Sequence, residues 1–264
     1  MNHSEFSLKG KNIVLTGATG YLGSKYAEGL SKFGANVILA DINLSKAEKM
    51  KKILEEKFST NPLAIKVDIS NKNSVQQMAS KICKKYKSID VLINNAFYQE
   101  TKKEKTSDFE NFSLDAWEKT IRVNLTGTLI CCQEIGKIMK KQKNGNIINI
   151  SSVYGLIGAD QRIYEKSGWN STIAYGTTKS AILNMTRYLA SYWHNDGIRV
   201  NSLSLGGVKR DQGKKFVKKY SEKTMIGRMA KQDEYVGAII FLSSNSSSYM
   251  TGSNLVIDGG WTAW

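Results

Sequence analysis

Short apolar runs alternate with longer stretches of helical periodicity along nearly the whole chain, and this alternation constrains the fold more than any other feature. Asn12–Thr16, Asn36–Ala40, Leu63–Val67, Ile89–Ile93, Asn146–Ile150, Ile198–Leu203 and Leu255–Ile257 read as strands. After the first of them, Leu22, Tyr26, Leu30 and Phe33 recur on one helical face. Leu44–Phe58, Ser74–Tyr86, Leu114–Lys141, Thr172–His194 and Asp233–Leu242 read as further helices. Strands spaced by helices pair in parallel, joined by right-handed crossovers that cover both faces of the sheet. The expected fold is a doubly wound α/β/α sandwich of three layers, with its ligand beyond the carboxyl ends of the strands.

Composition narrows the class. With 264 residues and 41% hydrophobic content, the chain can bury one large core. Pro62 is its lone proline, and no Gly/Ser/Pro-rich linker divides it, so a single domain is expected. The apolar runs are too short to cross a bilayer, and Met1–Phe6 lacks the basic-then-apolar layout of a secretory signal. Cys83, Cys131 and Cys132 are unevenly spaced and away from histidine. They read as free thiols of a cytoplasmic protein, with no disulfide framework and no metal site. The formal net charge of +15 comes largely from dispersed lysines. Such a surplus can attract nucleic acid, anionic lipid or an acidic substrate. No docking motif or basic stripe with interleaved aromatics accompanies it, so neither nucleic acid nor membrane is an expected partner.

The segment Thr16-Gly17-Ala18-Thr19-Gly20-Tyr21-Leu22-Gly23 joins the first strand to the first helix. Glycines here allow a tight turn, close approach of a pyrophosphate to the backbone, and packing of helix on strand. The helix start then offers free N–H groups and a partial positive charge to phosphate. Asp41, at the end of the second strand, stands where a carboxylate accepts from adenosine ribose hydroxyls. It would repel a 2′-phosphate, and the following Ile42 brings no neutralising cation. The pattern is that of a Rossmann-type sheet binding NAD in preference to NADP.

A second constellation lies downstream. Tyr175 and Lys179 are four residues apart on a predicted helix and share one face. A free phenol ionises near ~10, so proton transfer near neutral pH needs nearby positive charge. Ser152, at the carboxyl end of the fifth strand, can donate to a substrate carbonyl. Asn124 sits mid-helix, where its propensity is poor and a polar task is plausible.

In this order, these motifs resemble the short-chain dehydrogenase/reductase family, with the likeness running from Lys11 to Gly260. The resemblance further includes Val67-Asp68-Ile69, Asn94-Asn95-Ala96, Asn201, Thr251-Gly252 and Asp258-Gly259-Gly260. It implies that Tyr175 is the general acid/base, that Ser152 polarises the carbonyl, and that Lys179 holds the nicotinamide ribose and depresses the tyrosine pKa. Asn124 would anchor a water in a proton relay. The cofactor would meet Gly17, Thr19, Gly20, Tyr21, Leu22, Gly23, Asp41, Asp68, Ile69, Asn95, Ala96, Gly206 and Val208, besides Tyr175 and Lys179. Dimers or tetramers built through the two longest helices are implied as well.

The chain departs from the compact family members at several points. Its glycines, Gly17, Gly20 and Gly23, follow the spacing of larger epimerase-like members. Phe97 follows Asn95-Ala96 where glycine is usual, and Arg210 replaces a threonine. Ser152 and Tyr175 are 23 residues apart, a much longer gap than is usual. The added stretch, 158–170, would rim the substrate pocket, and Lys209–Lys223 would form a lid with Phe216, Val217 and Tyr220 on its apolar face. Phe97, Arg162, Tyr164 and Trp169 are the candidate substrate contacts. Such polar and aromatic side chains suit a small hydroxyl-rich or anionic molecule, and the lid and C-terminal Trp264 look similar to flagellin-modification and surface-sugar members. The expected activity is NAD-dependent interconversion of an alcohol and a carbonyl on a sugar-like substrate. An NAD-retaining epimerase or dehydratase is the alternative from glycine spacing. A non-catalytic dinucleotide sensor or nucleic-acid-binding scaffold is the alternative from charge.

Overall fold

A computed structural model describes residues 5–100, 109–164 and 170–264. Seven parallel strands form one sheet in the order β3-β2-β1-β4-β5-β6-β7. They are β1 Asn12–Thr16, β2 Asn36–Asp41, β3 Leu63–Lys66, β4 Val91–Asn94, β5 Gly145–Ser152, β6 Ile198–Leu205 and β7 Asn254–Ile257. The order reverses between β1 and β4, which opens a crevice at their carboxyl ends.

Successive β1 residues explain the two buried layers. Ile13 and Leu15 join a core with α1 (Tyr21–Lys32), α2 (Leu44–Lys57) and α8 (Val236–Ser243). Val14 joins the opposite core, with α3 (Lys72–Tyr86), α5 (Thr128–Gln142) and the end of α6 (Ile173–Tyr192). A strand buried on both faces needs apolar residues at consecutive positions, which is the pattern read from the sequence.

Two elements differ from expectation. The helix expected over Leu114–Lys141 comprises α4 (Leu114–Thr120), a π-helical segment Ile121–Gly127, and α5. The widened turn surrounds Asn124, whose side chain bonds the Tyr98 backbone: Oδ1 accepts from N at 2.6 Å and Nδ2 donates to O at 3.3 Å. π segments inside helices occur frequently at functional sites. β5 and β6 also run past their apolar residues, with Ser151↔Ser204 and Ser152↔Leu205 still in register. Ladder pairing, rather than hydrophobicity, carries Ser152 to the sheet edge.

Candidate active site

The crevice has two rims. On the first, the turn after β1 is closed by backbone contact. Gly17 adopts φ 63°, and a Cβ there would stand 2.8 Å from Ala96 Cα. A Cβ on Gly23 would stand 2.2 Å from the Gly17 carbonyl oxygen. Neither position accepts a side chain without displacing the turn. Asn95 Nδ2 donates to the carbonyls of Thr16 and Gly17 at 3.0 and 3.1 Å. The Asn95 and Ala96 amides donate to Thr16 Oγ1. These two residues therefore brace the turn from β4. Gly20 caps α1 without a side-chain hydrogen bond, leaving the amides of Tyr21, Leu22 and Gly23 suited to an anion.

Asp41 closes this rim. Its Oδ2 accepts from Thr19 N at 2.8 Å and Thr19 Oγ1 at 2.9 Å, and its Oδ1 accepts from Asn43 N at 3.0 Å. The carboxylate thus faces the glycine turn and retains acceptor capacity for a hydroxyl. Asp68 Oδ1 accepts from the Ser70 amide and hydroxyl, and Ile69 is buried against Gly127.

On the second rim, Ser152 ends β5, its Oγ accepts from Tyr154 N at 3.2 Å, and its hydroxyl pulls the Tyr175 pKa down against burial. Tyr175 lies in the first turn of α6, which Thr172 caps by accepting from Tyr175 N at 3.3 Å. Lys179 is one turn further on, only 7% exposed, with Nζ donating to the Ile150 carbonyl at 2.8 Å. That nitrogen lies 5.7 Å from the centroid of the Tyr175 ring and 5.9 Å from that of Phe97. Phe97 meets Tyr175 edge-on at 6.4 Å. Burial lowers the Lys179 pKa to about 8.

The Tyr175 phenol is under opposing influences. Burial raises the phenol above its ordinary value, and the opposing pull comes from the Ser152 hydrogen bond and the Arg210 charge. Removing a phenolate from water outweighs both. The Asn124 backbone oxygen accepts from Thr128 Oγ1 at 2.9 Å, and its side chain fixes Tyr98.

The loop after β6 spans the rims. Gly206 N donates to Ile257 O, and its carbonyl accepts from Tyr235 OH. Val208 bridges Ala230. Tyr21 OH donates to Lys209 O at 3.0 Å, and the Arg210 guanidinium lies 4.0 Å over the Tyr21 ring. The root of this loop is therefore stacked on the start of α1. Helix α7 (Lys214–Glu222) follows, with Tyr220 buried and its hydroxyl accepting from Gly207 N.

The added stretch docks on α7. Ile163, Tyr220, Met229 and Trp261 form a small core against which Tyr164, Phe216 and Val217 pack. Lys223 pairs with Asp160 at 2.9 Å, and Lys219 donates to the Arg162 carbonyl. The Arg162 side chain is 82% exposed and turned back onto Asp160. Tyr164 instead meets Tyr154, hydroxyl to hydroxyl at 3.2 Å. Trp169 lies outside the described residues. Sequence reading had missed Tyr154, whose signal was its place two residues after Ser152, and Glu100, which had none. Among the described residues, no cluster of His, Cys, Asp and Glu could hold a metal, and no helix is long and apolar enough to cross a membrane.

This geometry defines an NAD(P)-dependent oxidoreductase acting between alcohol and carbonyl. The chain belongs to the short-chain dehydrogenase/reductase family, and the family model described as enoyl-(acyl carrier protein) reductase matches residues 17–262. It is 31% identical over 254 residues to the post-translational flagellin modification protein A of Campylobacter coli, covering 96% of this chain and 99% of that protein. It is 33% identical over 263 residues to an NAD-dependent glycerol dehydrogenase of Listeria innocua, covering 98% and 96%. In structure it is similar to a gluconate 5-dehydrogenase of Burkholderia cenocepacia in complex with NADP and tartrate. That match has a TM-score of 0.88 at 27% identity over 100% of both chains.

Proposed function

We propose that the chain is an NAD-preferring dehydrogenase/reductase of a small polyhydroxylated molecule, a polyol, sugar or sugar acid. The observation that carries this reading is the Tyr175 phenol one helical turn from buried Lys179, whose Nζ lies 5.7 Å from the phenol ring and bonds the Ile150 carbonyl near Ser152 at the carboxyl edge of the sheet. The glycine turn, Asp41 and the open start of α1 fit a dinucleotide on the facing rim. The nicotinamide, when bound, supplies or accepts the hydride.

The residues of the chain handle the proton. In reduction, Tyr175 gives its phenolic proton to the carbonyl oxygen while Ser152 donates a hydrogen bond to the same oxygen. In oxidation, the proton returns from the alcohol to Tyr175. Lys179 keeps a cation beside the phenol and holds the nicotinamide ribose, and Asn124 orders the back of the site through Tyr98.

Asp41 supports NAD over NADP, since a carboxylate repels a 2′-phosphate and Ile42 supplies no cation. The related glycerol dehydrogenase is NAD-dependent, whereas the similar gluconate enzyme was solved with NADP. The docking of 158–164 on α7 supports reading the 158–170 stretch and 209–223 as pocket rim and lid. Exposed Tyr188 and Tyr192, stacked at 6.1 Å on α6, support self-association through the long helices. Free cysteines, two of them buried, support residence in the cytoplasm.

A screen of glycerol, threitol, sorbitol, sugars and sugar acids with NAD+ and NADP+, following reduced-nicotinamide absorbance, tests the reading. Reduction of NAD+ by members of this panel is expected. Failure of the whole panel with both cofactors, or product formed without net cofactor change, would count against it.

A further inference from the structure

The amino edge of the sheet, at the opposite end of the strands from Ser152, holds a cavity of about 590 Å³. It lies where β1, β5 and β6 begin, with Lys11, Asp90 and Arg199 in its wall, His194 just past α6, and Asn245 from the loop before β7. β5 runs eight residues from Gly145, which lines this cavity, to Ser152. At about 3.3 Å per residue the two ends of the strand stand more than about 20 Å apart, so one small molecule cannot touch both.

Lys11 and Arg199 are both half-buried, and among the described residues their hydrogen bonds run only to uncharged oxygens. Lys11 Nζ donates to Ser243 O at 3.3 Å and Asn245 Oδ1 at 3.2 Å, which leaves one of its three protons. Arg199 donates to the carbonyls of Ser247 and Met250 at 2.8 and 2.9 Å. The two cations thus grip opposite ends of one short turn, Asn245–Ser247. Every bond of Arg199 leaves from Nη1, so its Nε–Nη2 edge, the fork that takes an oxyanion through two parallel bonds, is unspent. Asp90, the acid of the lining, accepts from Asn12 N at 2.7 Å through Oδ2. Two cations against one acid leave the wall positive, and a half-buried charge without a counter-ion is costly.

We infer that this cavity is a second ligand site, separate from the dinucleotide crevice, for a small metabolite bearing an oxyanion, a phosphate monoester or a carboxylate. Arg199 takes the oxyanion through Nε and Nη2, and Lys11 adds its charge and its remaining proton. Asp90 retains acceptor capacity for a hydroxyl of the same molecule. The volume falls within the ~300–1,000 Å³ of small-molecule clefts, and a bare phosphate ion would leave most of it empty. The inference stands on these residues alone and does not depend on the role of Tyr175.

The test titrates glycerol 3-phosphate and citrate calorimetrically into wild type, Arg199→Gln and His194→Glu, with excess NAD+ present to occupy the dinucleotide crevice. Wild type is expected to bind at least one of the two saturably, and more weakly as salt rises. Tighter binding of glycerol 3-phosphate identifies a phosphate monoester as the ligand, and tighter binding of citrate a carboxylate. Arg199→Gln should raise Kd at least about tenfold. His194→Glu, which sets a negative charge on the exposed rim, should raise it too, and it carries the test if loss of the Arg199 hold on Ser247 and Met250 unfolds the first variant. The same effects in a titration without NAD+ separate this site from any failure of the cofactor reading. Absence of binding to wild type would overturn the inference. So would a Kd that neither variant changes, since the anion would then lie elsewhere on this basic chain.

Discussion

The Glu100 carboxylate accepts the Thr172 hydroxyl through both oxygens, each at 2.9 Å, and Thr172 in turn caps the helix that carries Tyr175. Thr120, at the threshold of the π-helical segment, donates to the same carboxylate at 3.0 Å. One buried acid therefore joins the helix bearing the phenol to the segment bearing Asn124. Replacing it by alanine leaves the buried Thr172 hydroxyl without its acceptor, at a cost of about 1–3 kcal/mol, while Thr120 keeps the Ala116 carbonyl at 2.8 Å. Glu100→Ala should lower the thermal midpoint and loosen amide protection in the first turn of α6, whereas Glu100→Gln, which retains an acceptor, should do less. Unchanged stability and protection in Glu100→Ala would show that the cluster carries no structural weight.

Tyr175→Phe should lower kcat at least about 100-fold while NAD binding persists, measured by turnover and by cofactor titration. The pH dependence has a definite sign. Burial keeps the phenol above its ordinary 10.0, so it remains protonated through the neutral range. Carbonyl reduction, which uses the phenol, should hold across neutral pH and decline only in alkali. Alcohol oxidation, which uses the phenolate, should climb with pH. Arg210→Ala removes one of the groups pulling the value down, and both limbs should move to higher pH.

Lys179 makes a separate prediction about stability. It ionises near 8 in the fold against an ordinary 10.5. Between those values the unfolded chain holds the proton that the folded chain has released, so the contribution of this residue to stability rises with pH across that window. Lys179→Met lacks the titrating group, and its denaturation midpoints should show less increase over the same interval.

Asp41→Ser should raise the preference for NADP relative to NAD about tenfold or more, because the like-charge penalty on a 2′-phosphate disappears. The carboxylate also ties down Thr19, so affinity for NAD should fall in the same variant. Steady-state kinetics with the two cofactors separate these effects.

Tyr188 and Tyr192 are 65% and 62% exposed, a large apolar area for two neighbouring side chains on one helix. Tyr188→Glu combined with Tyr192→Glu should shift the protein to monomer by light scattering. An unaltered mass would place any subunit contact elsewhere.

Much of this was legible in the chain. Ile13, Val14 and Leu15 announce a strand buried on both faces, and the order of Gly17, Asp41, Ser152 and Tyr175 places both rims. What escaped reading depends on distant polar partners. The π-helical segment has no periodic signature, since it is set by Asn124 reaching Tyr98, 26 residues away. Glu100 finds Thr172 across 72 residues. Arg162 reads as a pocket cation, yet Asp160, two residues earlier, takes its guanidinium through both oxygens. The direction of the Tyr175 shift depends on how deeply the ring is enclosed, which only packing decides.

Ser152 is held by the last rung of the β5–β6 ladder, and Tyr175 by the cap on α6. Neither anchorage passes through residues 158–164, which lean instead on α7 and Trp261. Chain can therefore be added or trimmed in that gap while the reacting groups stay put. An enzyme organised this way can change its diet through a single surface excursion and keep the same chemistry underneath.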